Sequence, residues 1–289
     1  MSADALPQPA VDFLAIGHIC HDLVPDGRLT GGAAAYCGLT AVALGLRAGV
    51  VTSAAAEDDW AVAFPELAVV QVPAPATTTF ENVYTPSGRV QTVHAVAGRL
   101  LAEHVPAAWT RAPIVHLGPI AGEIDPGVIR LFSDSIVGVG PQGWLRRWDE
   151  RGRVTPTTWD DAAAVLPLAA VTFLSEEDLL APDMLDDYRR LAGILVLTQG
   201  QRGCTVFCRG EARAFPAPAA SVVDPTGAGD IFAAAYLVRF YQTDGNLWAA
   251  AEFANAIAAQ AITRRGLAAK ARIVQQTLET LMHAPTADR

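Results

Sequence analysis

The sequence predicts an α/β protein in which a doubly wound, mostly parallel β-sheet is flanked by helices. Short and almost wholly apolar runs recur along the 289 residues, and several of them end in glycine, as buried parallel strands often do. Alanine-rich or amphipathic stretches of helical length separate these runs. Because strands and helices alternate, we expect parallel neighbours in the sheet and helices on both of its faces.

The predicted elements follow one another without an internal repeat, so a single domain over residues 11–282 is expected. The strands of the large sheet are predicted at residues 11–17, 50–54, 114–118, 136–140, 171–174, 194–197 and 204–208, and Val222 and Val223 are predicted to end a further buried strand. Helices are predicted from the Gly31-Gly32 pair to about Leu46, over 126–132, over 231–241 and over 247–263.

The segment from residue 77 to residue 99 differs from the rest because polar and apolar residues alternate in it. A turn signal, Thr85-Pro86-Ser87-Gly88, divides the segment into two halves. We therefore predict an exposed β-hairpin. Such a hairpin could be a simple sheet edge, or it could pair with a second copy of the chain to form a dimer.

Composition and charge limit the classes of function. The chain is 51% hydrophobic and carries a net charge of −9, which does not attract nucleic acid or an anionic membrane. Its apolar runs stop short of the ~20 residues of a membrane span, and the first residues lack the basic start and apolar core of a signal peptide. We expect a cytoplasmic protein that acts on small molecules, with flexible tails at residues 1–10 and 283–289.

Cysteine and histidine spacing gives no support for a structural metal site. The four cysteines, Cys20, Cys37, Cys204 and Cys208, show no CxxC pair, and the six histidines show no HExxH pattern. Buried free thiols are predicted instead.

The segment Asp224-Pro225-Thr226-Gly227-Ala228-Gly229-Asp230 carries the strongest functional signal. It lies at a predicted strand-to-helix turn, where unpaired N–H groups of the helix favour a phosphate and glycine allows its close approach. Asp230 falls in the first turn of the helix, where a carboxylate can accept the proton of an attacking hydroxyl. The alternative is a glycine-rich connection with a capping acid.

Lysine content narrows the kinds of phosphotransferase that remain. Lys270 is the only lysine, so the chain lacks the lysine that follows the glycines of a P-loop and the strand lysine of a protein kinase. Backbone N–H groups, arginines and a metal ion would have to stabilise phosphate charge instead.

The Asp224–Asp230 segment, extended by Ala234 and Ala235, resembles the C-terminal signature of the PfkB, or ribokinase-like, family of small-molecule kinases. The resemblance runs from about Val11 to Gly266. It implies a ribokinase-like fold with a small β lid, formed by strands at 77–99 and a short piece near 20–30. It also implies ATP and Mg²⁺ as cofactors, and it leaves room for a monovalent cation. Under this resemblance Asp230 is the catalytic base, and Gly227, Ala228 and Gly229 form an anion hole.

Residues near the start of the chain and in the 141–146 stretch are the candidates for substrate binding. Asp22 follows the first strand, at the edge of the sheet where ligands collect, although it could instead cap a turn before Pro25. Gly31 and Gly32 resemble the family's N-terminal motif, and Gln142 could bind a polyol. The His-Asp pair ending at Asp22 and the Gln142 stretch resemble plant-type myo-inositol kinases.

The second half of the chain supplies the candidates for nucleotide and metal contacts. Asp178 is expected to reach Mg²⁺ through water, although Ser-x-x-Asp is also a helix-capping arrangement. The residues that the resemblance assigns to the nucleotide are Ser175, Thr198, Gly200, Gly203 and Asn255.

We therefore expect an ATP-dependent kinase of a small polyol, with myo-inositol favoured. A kinase of another sugar, of a sugar phosphate or of a nucleoside is the alternative, and a catalytically silent polyol-binding sensor is a further one. The chain is expected to be a monomer or a homodimer formed through the lid.

Overall fold

A computed structural model of the protein describes residues 10–85 and 88–283. The predicted tails, apart from Ala10 and His283, and the centre of the predicted hairpin turn, Pro86 and Ser87, lie outside these residues. The strands are β1 (Phe13–Ile16), β2 (Cys20–Val24), β3 (Gly27–Gly31), β4 (Ala48–Ala54), β5 (Ala68–Pro73), β6 (Thr79–Thr85), β7 (Gly88–Ala95), β8 (Ile114–Leu117), β9 (Ile136–Val139), β10 (Arg146–Trp148), β11 (Val154–Pro156), β12 (Val171–Ser175), β13 (Ile194–Thr198), β14 (Cys204–Cys208) and β15 (Glu211–Phe215).

The α-helices are few and cluster towards the C-terminus. They are α1 (Ala33–Ala43), α2 (Trp60–Ala63), α3 (Ala162–Val165), α4 (Pro182–Leu191), α5 (Ala228–Gln242), α6 (Leu247–Ala261) and α7 (Leu267–His283).

The large sheet has nine strands in the order β15-β14-β13-β12-β9-β8-β1-β4-β5. All neighbours from β13 to β5 are parallel, and the pairs β13–β14 and β14–β15 at one edge are antiparallel, so that β14 alone in this sheet runs in the opposite direction. After β1 the chain first builds outwards to β4 and β5 and then returns to the other side of β1 at β8. The order of the strands therefore reverses between β1 and β8, which is where ligands bind in open α/β sheets.

Helices cover both faces of the large sheet, and the predicted fold class is confirmed. One core lies beneath α1, α5, α6 and α7, and the other lies beneath α3, α4 and the segment around Trp109. Helix α5 is buried continuously from Ile231 to Val238. It has no polar face because it packs between the sheet and its helical neighbours.

A second sheet of four strands, β3-β2-β6-β7, forms from two separate parts of the chain. The hairpin β2–β3 lies between β1 and α1, and the hairpin β6–β7 lies between β5 and β8. A parallel pairing of β2 with β6 joins the two hairpins. The polar and apolar alternation of residues 79–95 is thus that of a hairpin with one buried face, on which Phe80 and Val93 lie.

The imidazole of His18 ties together the base of this small sheet. Its Nε2 lies 2.8 Å from the carbonyl oxygen of Gly98, and its Nδ1 lies 2.7 Å from the hydroxyl of Thr78. A carbonyl can only accept, so the proton is on Nε2 and the Thr78 hydroxyl donates to Nδ1. The side chain is completely buried, and both of its nitrogens are satisfied.

Two expectations about secondary structure are wrong. Val222 and Val223 are not part of a strand and are 45% and 62% exposed. The N–H of Val223 donates to the Ile262 carbonyl at the end of α6 rather than to a neighbouring strand. The predicted helix over 126–132 is a 3₁₀ segment, Pro126–Leu131, which the Asp125 side chain caps through the N–H of Gly127.

The prediction about the cysteines agrees with the structure. All four cysteines are free, three of them buried and Cys208 half-buried. None of the helices in the described part of the chain combines the length and apolarity that a bilayer crossing requires.

Candidate active site

The segments that follow β1, β8, β9 and β12 meet the start of α5 at the carboxyl edge of the large sheet. Charge effects show that the key side chains are close together. Burial raises the pKa of the Cys20 thiol far above its usual range, and the carboxylates of Asp22, Glu123 and Asp230 raise it further, whereas Arg146 opposes them. The predicted substrate ligand Asp22 and the predicted base Asp230 therefore both lie close enough to Cys20 to influence its thiol.

Gly227 begins α5 in a left-handed conformation, with φ of 74°. A Cβ at this position would lie 2.5 Å from atoms of the Tyr36 ring, so only glycine fits. The N–H of Ala228 donates to the Pro225 carbonyl at 3.1 Å. In the described part of the chain, the N–H groups of Gly227 and Gly229 have no such backbone partner, and open space surrounds Gly229. The two glycine N–H groups are thus the donors suited to an anion.

Asp230 has the electrostatic environment of a general base. Burial raises the pKa of its carboxyl to about 7; the charges of Arg146 and Lys270 oppose this rise, and Asp178 adds to it. A carboxyl with a pKa near neutrality accepts a proton far more readily than an ordinary aspartate does. The position of Asp230 in the first turn of α5 follows directly from the Gly227 turn, since the N–H of Ile231 closes the first helical bond to Gly227.

Asp22 lies half-buried on β2, and its carboxylate occupies the space beside Gly31. A Cβ on Gly31 would lie 2.6 Å from Asp22 Oδ2. The side chain of Asn82 donates to Asp22 Oδ1 at 3.2 Å, and Gln91 donates to Asn82 at 3.0 Å. The Asp22 side chain thus leaves no room for a side chain at position 31, and substrate binding by Gly31 stays a prediction. A row of polar side chains crosses the inner face of the small sheet.

His21 points to the opposite side of β2 from Asp22, as strand alternation requires. Its Nε2 lies 2.9 Å from the buried carboxylate of Asp58, and Thr77 donates to the same carboxylate oxygen. Of the His-Asp pair in the sequence, only the aspartate faces the candidate site.

Arg146 is the cation that sequence reasoning did not single out from the other arginines. It begins β10, and its Nη1 lies 3.5 Å from the carbonyl oxygen of Ile120. The turn before it packs tightly, since a Cβ on Gly143 would lie 2.5 Å from Ile120 N. Its position directly after the Gln142 stretch was the available signal. Gln142 itself is half-buried in the 3₁₀ turn Pro141–Gly143, at the same edge of the sheet.

Glu123 is a second residue that the sequence did not reveal. Its buried carboxylate accepts hydrogen bonds from the backbone N–H groups of His18, Ile120 and Ala121 at 2.7 to 3.1 Å. It therefore holds the segment after β1 against the segment after β8. Gly32 completes this packing, because a Cβ there would lie 2.3 Å from the His18 carbonyl oxygen.

Ser175 and Asp178 form the helix-capping arrangement that the sequence left open. The Ser175 hydroxyl accepts from the N–H of Glu177, and the Asp178 carboxylate accepts from the N–H of Ser175, both at 3.2 Å. In the described residues no group of three acidic, histidine or cysteine side chains forms a metal cage. Asp178, which is half-buried and close enough to influence Asp230, suits a magnesium ion held mainly by water and phosphate.

The remaining residues predicted to contact the nucleotide lie at the end of β13 or after it. Thr198 donates to the Leu174 carbonyl, and Gly200 is exposed at the start of a 3₁₀ turn. Gly203 is buried, and a Cβ there would lie 2.0 Å from the Phe215 carbonyl oxygen, so the chain's own packing requires this glycine. Asn255 is buried and donates to the same carbonyl at 3.0 Å. Their roles toward a nucleotide stay predictions.

Comparison with known proteins finds similarity to small-molecule kinases. Residues 154–273 match the family model described as pfkB family carbohydrate kinase. A cytidine kinase from Thermococcus kodakarensis is 27% identical over 253 residues, which cover 80% of this chain and 88% of the relative. An inositol 3-kinase from Oryza sativa subsp. japonica is 28% identical over 310 residues, covering 95% of this chain and 75% of the relative.

Solved structures share the fold. A pyrophosphate-dependent kinase in the ribokinase family, complexed with a pyrophosphate analog and myo-inositol, superposes with a TM-score of 0.78 at 23% identity, over 92% of this chain and 99% of the other. Arabidopsis thaliana ribokinase, complexed with ribose and ATP, superposes with a TM-score of 0.70 at 18% identity, over 94% and 99%. The chain is thus similar to the pfkB family of carbohydrate kinases over residues 154–273, and to two kinases over most of its length.

Proposed function

We propose that the protein transfers the γ-phosphoryl group of ATP to a hydroxyl of a small polyol, and that this polyol is myo-inositol. The observation that carries the proposal is that two carboxylates, Asp230 and Asp22, lie close enough to the buried Cys20 to influence its thiol. Asp230, whose pKa is about 7, lies at the start of α5, and Asp22 lies on β2 of the small sheet. The first suits proton abstraction, and the second suits hydrogen bonding to hydroxyl groups.

In the proposed reaction the acceptor hydroxyl loses its proton to Asp230, and its oxygen attacks the γ-phosphorus. The bond between that phosphorus and the oxygen bridging to the β-phosphate breaks, and ADP leaves. Negative charge on the transferred group is met by the N–H groups of Gly227 and Gly229 and by the guanidinium of Arg146. Bound Mg²⁺ would neutralise the donor phosphates, with Asp178 reaching its water shell.

The polar inner face of the small sheet favours a polyol over a nucleoside. Asp22, Asn82 and Gln91 offer carboxylate and amide groups in one row. The aromatic ring of Phe80, which could otherwise stack on a base, is only 3% exposed and packs in the core of the small sheet. The side chain of Tyr84, the other aromatic candidate, lies outside the described part of the chain. The related inositol 3-kinase supports the same choice.

The test is direct detection of phosphorylated product by mass spectrometry, with each donor paired with each acceptor. The donors are Mg·ATP and pyrophosphate, and the acceptors are myo-inositol, fructose, ribose, a ribose phosphate and cytidine. We expect myo-inositol phosphate with ATP and none with the Asp230→Asn protein. Product from cytidine or a sugar would contradict the acceptor, and transfer from pyrophosphate alone would contradict the donor. Polyol binding without any transfer would favour a sensor.

Replacing Asp22 with asparagine is expected to lower kcat/KM for the polyol by about 10- to 100-fold, mainly through KM. A hydrogen bond between a carboxylate and a hydroxyl contributes about 1.5–3 kcal/mol, and the amide replaces it poorly. Steady-state kinetics at varied polyol concentration measures the effect. Glu81→Gln is the matched control, because Glu81 lies on the opposite face of the same sheet and pairs with the exposed His94. Equal effects of the two substitutions would argue against a role for Asp22 in binding.

A further inference from the structure

The only lysine of the chain is buried beside the loop that begins α5. Lys270 lies in the first turn of α7, and its side chain is 1% exposed. Burial lowers the pKa of its ammonium group, and the Asp224 carboxylate opposes this change. Lysine rarely occupies such a position unless its charge is paired. The contacts of its Nζ atom should therefore show what stabilises this buried charge.

Three oxygen atoms surround the ammonium group. Nζ donates to the carbonyl oxygens of Asp224 at 2.7 Å and of Thr226 at 2.6 Å, and it lies 3.4 Å from Asp224 Oδ2. The ring of Tyr36 lies 5.8 Å away on another side. Burial opposes ionisation of Asp224, yet hydrogen bonds from Thr226 and the charge of Lys270 hold the pKa of this carboxyl below its ordinary value. The ammonium group thus donates two hydrogen bonds to backbone carbonyl oxygens, and its charge is paired with the Asp224 carboxylate.

The bond to Thr226 fixes the direction of a neighbouring N–H group. The peptide unit that joins Thr226 to Gly227 is planar and trans, so its C=O and its N–H point in opposite directions. Because Lys270 holds the carbonyl oxygen on the side of α7, the N–H of Gly227 points away from α7. This N–H is one of the two donors that the proposed reaction uses for the transferred phosphoryl group.

We propose that Lys270 is a positioning residue whose tethered ammonium group acts as a built-in monovalent cation for the 224–227 loop, so that the kinase needs no dissociable monovalent cation. This proposal rests on the proposed function only in assigning the loop to the phosphoryl donor. The monovalent cation that the sequence resemblance left room for is thereby replaced by a side chain of the protein itself. An ammonium ion and a potassium ion both suit a small set of carbonyl and carboxylate oxygens.

Two substitutions separate charge from volume. Lys270→Ala removes the side chain and leaves space lined by three oxygens, which a free cation can enter. Lys270→Met fills most of this space without a charge. We expect wild-type kcat to be the same in choline, sodium and potassium salts. Both variants should lose about 100-fold in kcat in choline, the effect of a misdirected anion-hole donor, with little change in the polyol KM.

Rescue by added ions is the decisive measurement. Potassium, ammonium or methylammonium should restore kcat of Lys270→Ala by at least about tenfold and leave Lys270→Met unchanged. A requirement of the wild-type enzyme for potassium would overturn the proposal, as would full activity of Lys270→Met or failure of all three ions to rescue Lys270→Ala.

Thermal unfolding provides a readout that needs no substrate. The same ions should raise the Tm of Lys270→Ala, because a cation that binds only the folded state stabilises it, whereas the Tm of the wild type and of Lys270→Met should not respond beyond the choline control. An ion-specific rise without kinase activity on any acceptor would support the cation site and count against the proposed function. Kinase activity without ion-specific rescue or stabilisation would support the proposed function and count against the cation site.

Discussion

Replacing Asp230 with asparagine is expected to lower kcat by about 10²- to 10⁴-fold while the protein stays folded and still binds ATP. The amide keeps the shape of the side chain but cannot take the proton of the acceptor hydroxyl. In the wild type, kcat/KM should rise with pH through about 7, where the Asp230 carboxyl ionises. The residual activity of the variant should lack this transition. A pH profile of kcat/KM for both proteins measures the effect.

The same substitution is expected to stabilise the protein at alkaline pH. Burial raises the pKa of Asp230 to about 7, so the folded state holds a proton that the unfolded chain loses near pH 4. Stability therefore falls as the pH rises between these two values, and the full cost is present above about 7. Asparagine carries no charge, so Asp230→Asn should gain about 1–2 kcal/mol in free energy of unfolding. This gain is smaller than the full free-energy equivalent of the pKa shift, because solvent reaches the half-buried carboxylate.

Urea unfolding above pH 8 and near pH 4 separates this effect from a general change in packing. The gain should be present at the higher pH and absent at the lower one. Unaltered kcat in the variant would show that Asp230 is not the base. A stability gain that does not depend on pH would contradict the raised pKa without affecting the assignment of the base.

Gly227→Ala is expected to reduce kcat by about 10²- to 10³-fold and to destabilise the fold by about 2–4 kcal/mol. The alanine would have to adopt a left-handed conformation, and its Cβ would collide with the buried Tyr36 ring at 2.5 Å. Relief of this collision must shift the ring or the turn, and either movement displaces the Gly227 N–H from its anion. Steady-state kinetics and urea unfolding of the same protein preparation measure both effects.

Two other glycines provide controls. Gly45 has φ of 88°, and no atom lies within 4 Å of the point that a Cβ would occupy, so Gly45→Ala tests left-handed strain alone and should cost about 1 kcal/mol. Gly229 is helical and equally open, so Gly229→Ala should keep or raise stability by up to about 1 kcal/mol. A loss of activity in Gly229→Ala would then show that the added methyl group occupies space that the bound ATP needs. Gly227→Ala with the properties of Gly45→Ala would refute the steric explanation.

The features predicted best from the sequence were those that neighbouring residues determine. The parallel strands were recognised from short apolar runs, and the start of α5 at Gly227 and Asp230 from spacing within seven residues. Local pattern also misled at Val222 and Val223, which are apolar and yet exposed. These two residues follow a proline-containing segment after β15, and the N–H of Val223 bonds to the end of a helix instead of a strand.

The roles that were missed depend on contacts between distant segments. Glu123 binds the N–H of His18 across 105 residues, and Lys270 binds the carbonyl of Asp224 across 46. No pattern within either segment specifies its partner. Lys270 was conspicuous in the sequence as the only lysine, but its purpose becomes visible only when α7 is placed beside the 224–227 loop.

The buried imidazole of His18 also determines which movements the small sheet can make. Four chain segments connect that sheet to the large one, and His18 itself belongs to the first of them. Its ring forms hydrogen bonds with Thr78 and Gly98, which belong to two of the other connecting segments. Its backbone N–H donates to the Glu123 carboxylate. Rotation of the whole sheet about its base would break these buried hydrogen bonds together. If the small sheet closes over a substrate, as the resemblance implies, we expect the movement to be a bending within its strands beyond a base that stays fixed.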